Sequence, residues 1–287
     1  MNEMGNTQLA AVIPEVWRPI ILDARYSTAI MDKVCYTEFP EVKSKGDIVH
    51  LAVFPRLSVN AVGSGGSVTR QQLTLTDNSI SIAQYFECTI DIEDLSGFQS
   101  IMGDSATFAK KWAGQFSPRL TEKQDNYILG LATSANAAFS NSALGGASEM
   151  SAALIRQGLA SLDRARVVKS GRAVVLGVQA YYELFSDQQF VNAHQTGLMR
   201  GTQITGFQSI PTVYGIKYEM SPEVSVTGGN LNNWLIHEEA VALVTQKNPS
   251  VVPLAKVQLS SAITGAILFD GKVIRADHGV VLSSLNA

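Results

Sequence analysis

Apolar positions along this chain alternate between a helical and a two-residue period, and the switches mark the elements. Residues 1–13 are polar and aperiodic, a loose arm. From Pro14 to about Val34 the residues Trp17, Ile20, Ile21 and Ala24 recur at helical spacing, with proline in the first turn, which predicts a helix. Residues 45–59, KGDIVHLAVFPRLSV, read as a strand that Pro55 interrupts, so it lies at an edge or bends. The return path alternates: Leu73 and Leu75, then Phe86, Cys88, Ile90 and Ile92, against Glu87, Thr89, Asp91 and Glu93. The pattern predicts one long two-stranded hairpin over about 47–92, with its tip at Gly63, Ser64, Gly65, Gly66 and Ser67.

Helical period then returns over 104–133, where Ala106, Ala109, Ala113, Phe116, Leu120 and Tyr127 form one apolar stripe. Such a helix is roughly 30 residues, or about 45 Å, long. Asp104 or Ser105 caps its start, and Pro118 predicts a kink near Gly114. The small-residue stretch 134–150 reads as a loop and a domain boundary. Farther on the pattern predicts a helix over 148–165 begun at Ser148, a buried strand over 172–178, a helix over 179–190 and two short strands over 204–215. Near the C-terminus Asp270-Gly271 reads as a tight turn between alternating strands. The whole is an α+β mixture without regular β-α-β alternation.

The glycines at 63–67 invite a phosphate-loop reading, which fails. A phosphate loop needs a lysine after its last glycine, and no lysine occurs between Lys45 and Lys110. A dinucleotide fingerprint needs glycine where Val68 stands, and a helix after it. The distal arms are rich in Ser, Thr, Gln, Gly and Asn, which build no core of their own. An isolated two-stranded hairpin is marginal in water, so this one needs a surface, its own domain's or another copy's.

Other chemistry is sparse. In "HEEAV", 237–241, Val241 occupies the second ligand position of a zinc helix, so His237 reads as a helix cap or part of an exposed face. His50, His194 and His278 stand alone, and no G-x-S-x-G nucleophile turn occurs. Asp91 to Asp94, "DIED", read as a solvated strand face. Cys35 and Cys88 form neither a disulfide framework nor a metal spacing and read as small buried or half-buried thiols, in keeping with synthesis at a reducing, intracellular site. The cluster Arg164, Arg166, Lys169 and Arg172 reads as a helix C-terminus, with weak phosphate or DNA contact as the sharper alternative. No catalytic residue, metal ligand or cofactor site is assigned.

Composition narrows the class. Of 287 residues, 46% are hydrophobic and only 16% charged, with a formal net charge of −3, which argues against a dedicated nucleic-acid binder. Few charges on a chain this long suggest that much of its surface is covered by something other than water. The N-terminus carries Glu3 and no basic segment, and no apolar run approaches the ~18 residues of a membrane span, so no secretion signal or membrane partner is expected.

The order of parts resembles a known family. An arm leads to "IPEVW" and "KGDIVHLAVFPR", then a glycine-tipped hairpin ending "YFECTIDIEDL", a long helix, "GRAVVLGVQAYYELFSDQQFVNA", "GFQSIPTVYG" and "FDGKVIRADHGVVLSS". This is similar to the major capsid protein of tailed double-stranded DNA phages, the Hong Kong 97 phage-type capsid fold. The resemblance implies an N-arm over 1–45, an extended β-hairpin loop over 46–95 and a peripheral domain with a long spine helix over 96–149. An axial domain over 150–265 and C-terminal strands over 266–287 returning to the peripheral domain complete it. It implies assembly of one chain into pentamers and hexamers of a virion shell, with packaged DNA and separate scaffold, portal and decoration proteins as partners. The loop tip, residues 63–67 with Arg70, would rest on a neighbour's peripheral domain near the spine helix. Some relatives cross-link through a lysine near this loop; residues 46–109 hold none, so no such cross-link is expected. An encapsulin-like shell around enzyme cargo, and an intracellular enzyme with an unrecognised site, are the alternatives.

Overall fold

The computed structural model describes residues 25–39, 48–93, 105–141, 149–186, 214–253 and 260–286. The expected arm over 1–24, His194, Asp94, Asp104, Ser148 and the strands expected over 204–213 lie outside the described residues.

Three sheets organise the described chain. The largest runs β4 (Phe139–Ser140), β11 (Gly279–Leu285), β8 (Asn230–His237), β5 (Arg172–Leu176), β6 (Lys217–Met220), with β7 (Val226–Thr227) hairpinned on β8. Its middle strands are apolar runs: every residue of β5 is buried, and Trp234, Leu235 and Ile236 of β8 are fully covered. Helix α3 (Ala152–Arg164) turns Ala152, Ile155, Gly158 and Leu162 inward, and short helix α4 (Val178–Glu183) follows β5 directly. A second sheet has the order β3 (Gln84–Glu93), β10 (Ser260–Val273), β9 (Val241–Pro253). Across it lies α2 (Ser105–Leu129), which contains Pro118 and buries Phe116, Leu120, Ile128 and Leu129. The third sheet pairs β1 (Ile48–Val53) with β2 (Thr76–Ser81). One continuous apolar core joins α2 and β10 to β5, β8 and β11.

Several expectations need correction. The single hairpin over 47–92 is two structures: β1 pairs only with 76–81, while 84–93 pairs with β10. Alternation marks a strand but not its partner, and Phe86 and Cys88 pack against the core that α2 shares rather than against β1. Asp270-Gly271 is no turn; both residues sit mid-strand in β10, opposite Val244 and Leu243. Asp270 accepts bonds from the Ala83 and Gly271 amides at 3.1 and 2.7 Å and from the Tyr127 hydroxyl at 3.1 Å. A Cβ on Gly271 would stand 2.0 Å from Ile128 Cδ1, so glycine serves the helix–strand approach here.

Within the boundary placed at 134–150, residues 134–141 are built into the fold. Phe139 and Ser140 pair in parallel with β11, and buried Asn141 donates to the Ser283 carbonyl at 2.8 Å. The residue flanking α3 is Ser151. Of the helix expected from Pro14, the described part is irregular over 25–30 and helical only over α1 (Met31–Val34). This segment straps across α2: the Ile30 and Met31 amides donate to Asp125 at 2.7 and 3.3 Å. Asp125 is 1% exposed, and burial, against those two bonds, pushes its carboxyl up to about 6, with Asp32 and Glu223 adding to the rise. The block 266–287 divides between two sheets, since β10 and β11 belong to different ones.

Candidate functional site

The ribbon that leaves the core between β1 and β2 is the most unusual surface of the molecule. Its root is well anchored. Ile80 and Ile82 pack with Ala242 and Val244, and Val49, Leu51, Leu268 and Ile274 close over them. Lys272 Nζ donates to the Ser79 carbonyl at 2.7 Å, and Asn78 Nδ2 to that of Ile274 at 3.2 Å. His50 meets Asp77 across the pair at 2.7 Å, on the exposed side.

Beyond Val53 and Thr76 the ladder stops, two residues before Pro55, which has no amide to donate. One clasp keeps the arms in register: the Ser58 amide donates to Gln71 Oε1 at 3.0 Å, and Gln71 Nε2 donates back to the Ser58 carbonyl. At the tip the Gly66 amide donates to the Gly63 carbonyl at 2.9 Å, and Gly65 has φ +79°. That is a tight turn whose third residue needs positive φ, as glycine allows. From Phe54 to the tip is about ten residues, an extension on the order of 35 Å.

Every residue from 54 to 75 is exposed. Seven of them are large and apolar: Phe54, Leu57, Val59, Val62, Val68, Leu73 and Leu75, with Val59 97% and Phe54 78% exposed. Apolar side chains concentrated on an uncovered segment are unusual for a surface left to water. Arg56 and Arg70 are the ribbon's charges, and no acidic residue occurs from 54 to 76. At the root, Tyr36, Leu51, Val53, Ile274 and the Glu239–Arg275 ion pair (3.4 Å) line a cavity of about 220 Å³.

The other candidate residues fall apart from one another. Arg172 is 5% exposed, ion-paired to Asp163 at 2.7 Å and donating to the Val167 and Val168 carbonyls at 2.7 and 2.9 Å. It ties the end of α3 to β5, whereas Arg164, Arg166 and Lys169 are exposed beside it. Arg166 has φ +61°: its amide bonds the Asp163 carbonyl and that of Val167 bonds Leu162, an αL helix stop in which glycine is usual. His237 is a cap, its Nδ1 accepting from the Glu239 amide at 3.2 Å. Glu87, Asp91 and Glu93 line the exposed face of β3. Cys35 is buried, its thiol pushed up by that burial and by nearby Asp125 and Asp32, and Cys88 is half-buried.

Among the described residues no group of three or more His, Cys, Asp or Glu is placed to hold a metal. No described helix is long and apolar enough to cross a membrane. The latch at Asp125 was missed by sequence reasoning; its only sign is a carboxylate three residues after Glu122 on a mostly apolar helix face.

No protein-family model and no curated protein matches the chain. Solved structures do match, over nearly its full length. A protein of Mycobacterium phage Che8 superimposes with a TM-score of 0.74 at 22% identity, covering 94% of this chain and 96% of that one. The head structure of Helicobacter pylori bacteriophage KHP40 gives 0.74 at 11% identity, covering 99% of both chains. This is the Hong Kong 97 phage-type capsid fold. The fold extends to the holo-SrpI encapsulin complex of Synechococcus elongatus, with a TM-score of 0.62 at 10% identity over 100% of this chain and 97% of that one.

Proposed function

We propose that this chain is a major capsid protein, whose copies join as pentamers and hexamers into the icosahedral shell around the DNA of a tailed phage. The observation that carries the reading is the ribbon: seven large apolar side chains stand exposed on a segment that its own chain leaves bare, in a fold shared with phage head proteins. A subunit of a closed symmetric assembly must make several different contacts with its copies, and a ribbon reaching beyond its own core makes one of them. The work of such a chain is assembly in the virion, without turnover. Locking of neighbours is non-covalent as far as the loop is concerned, since residues 46–109 hold no lysine.

In this reading residues 1–45 form the N-arm and the ribbon with β1 and β2 the extended loop. The peripheral unit is α2 with the β3–β10–β9 sheet, and the axial unit is the largest sheet with α3 and α4. Strands of one ladder move together, so these boundaries follow the sheets: 84–93 joins the peripheral unit and 279–285 the axial one. Exposed Arg164, Arg166 and Lys169 touch packaged DNA without sequence preference, and Arg172 takes no part because it is committed to Asp163. Scaffold, portal and decoration proteins are separate partners.

An encapsulin-like compartment is the second reading, favoured by the match to the SrpI complex. Expression of the chain followed by sedimentation and electron microscopy tests both. Closed shells are expected, and particles from phage lysates should hold nuclease-protected DNA. Shells filled with protein cargo would turn the reading to the compartment, and a small soluble oligomer would refute both.

A further inference from the structure

We propose that residues 25–39 form a proton-gated strap: Asp125 of α2 clamps it to the core, and ionisation of that carboxyl loosens it. The device lies within one subunit and stands apart from the shell reading. Among the described residues the strap's backbone meets a sheet at Tyr36 alone. There its amide donates to the Val241 carbonyl at 2.9 Å, and its carbonyl accepts from the Leu243 amide at 3.0 Å. Upstream of Tyr36 the polar anchors are side chains of α2. Asp125 takes the Ile30 and Met31 amides, one on each oxygen, Glu122 takes the Ser27 hydroxyl at 3.2 Å, and Gln124 donates to Asp32 at 3.2 Å.

Three elements bring carboxylates to this crossing. Asp32 comes from the strap, Asp125 from α2 and Glu223 from the turn after β6, where Asn126 Nδ2 donates to it at 3.0 Å. Among the described residues no cation pairs with Asp125, and Arg119 on the same helix is taken by Glu122. One proton is therefore felt by the strap, the long helix and the largest sheet together. Burial, and after it the facing charges of Asp32 and Glu223, outweighs the two amide bonds and carries the Asp125 carboxyl up to about 6. Raised from 3.8 in the closed strap, it binds its proton more tightly there than in the open one, where water replaces the burial. Closing is favoured as pH falls through 6; above about pH 7 the strap covers a buried charge that no cation offsets.

The strap carries its own reporter. Cys35, 7% exposed, directly follows α1. Its thiol is pushed up by burial and then by the charges of Asp125 and Asp32, which places it beside the clamp. Opening of the strap bares this thiol, and closing hides it.

The test follows Cys35 in the full chain with 4,4′-dithiodipyridine, a disulfide that thiols attack, and mass spectrometry separates it from Cys88 on β3. Rates are divided by those of the urea-unfolded chain in the same buffer, so the thiol's own pH dependence cancels. Cys35 should label faster than global unfolding allows, and its normalised rate should fall about tenfold from pH 7.5 to pH 5. D125N should abolish the fall. E223Q removes one facing charge, so it should slow labelling at pH 7.5 and leave it unchanged at pH 5; it decides the matter should D125N not fold. A fall that both variants retain in full, a wild-type rate without the fall, or labelling that only follows global unfolding would overturn the strap. None of these outcomes touches the shell reading, which micrographs decide.

Discussion

Glycines at the ribbon tip and in β10 are the same residue kept for opposite reasons. Around Gly63 and Gly65 a Cβ would meet nothing within 4 Å, while at Gly271 it would stand 2.0 Å from Ile128 Cδ1. One region is shaped by what its own chain packs against it, the other by the backbone freedom of an exposed tip. The apolar residues divide the same way. Trp234 and Phe269 are fully buried, yet Val59 and Val68 are 97% and 76% exposed. Burial of a large apolar side chain contributes roughly 2 kcal/mol, which the seven bare ones on the ribbon forgo in the single chain and would recover in the proposed assembly.

Deleting residues 63–67 tests this contrast hardest. Closed shells should vanish from micrographs while the unfolding midpoint of the subunit stays within about 2 °C. Normal shells would end the idea that the tip serves assembly. Next in size is Arg172→Ala, expected to destabilise by about 3 kcal/mol because Asp163 and two carbonyls lose their donor, whereas Arg164→Ala and Lys169→Ala should stay within about 0.5 kcal/mol in urea titrations. Equal effects would mean that the four cations act as one cluster.

Gly271→Ala should cost about 2 kcal/mol through overpacking. Ile128→Val removes the opposing Cδ1, so the double variant should cost less than the sum of the two singles. Simple additivity would place the strain elsewhere.

Asp125 gives a pH signature that the ribbon lacks. Its folded carboxyl is raised to about 6 from 3.8, so the fold binds the proton more tightly than the unfolded chain does. This contribution to stability is absent above about pH 7 and grows as pH falls through 6 toward 3.8. Relative to Asp125→Asn, the wild type should gain about 1.4 kcal/mol between pH 7.5 and 5. A constant difference across that range would exclude a titrating latch. Smallest is Arg166→Gly, expected to stabilise by about 0.5 kcal/mol by relieving positive φ at the end of α3; a loss instead would show that the Arg166 side chain holds the stop.

Much of the fold was legible because period and composition are local. The long helix over 104–133 appears as Ser105–Leu129, the strand over 172–178 as Arg172–Leu176, and His237 as a cap. The solvated face of "DIED" is found as far as Glu93. Errors gathered where a local signal has two readings. Asp270-Gly271 carries turn chemistry, but Tyr127, Ala83 and Ile128 converge on it from elsewhere in the chain and hold it extended. Likewise 84–93 alternates as a hairpin arm does, and only its partner distinguishes the two structures.

By itself, then, the sequence determined the α+β class, the long helix, the exposed glycine tip and the absence of a phosphate loop. Each of these depends on residues within one or two turns of chain. Tertiary structure alone decided which strands share a ladder, that Arg172 leaves the basic cluster for Asp163, and that Asp125 latches the strap at Ile30 and Met31. The ladders and the latch turn on groups tens to hundreds of residues apart, and even Arg172, nine residues from Asp163, owes its pairing to burial that exists only once the chain has folded.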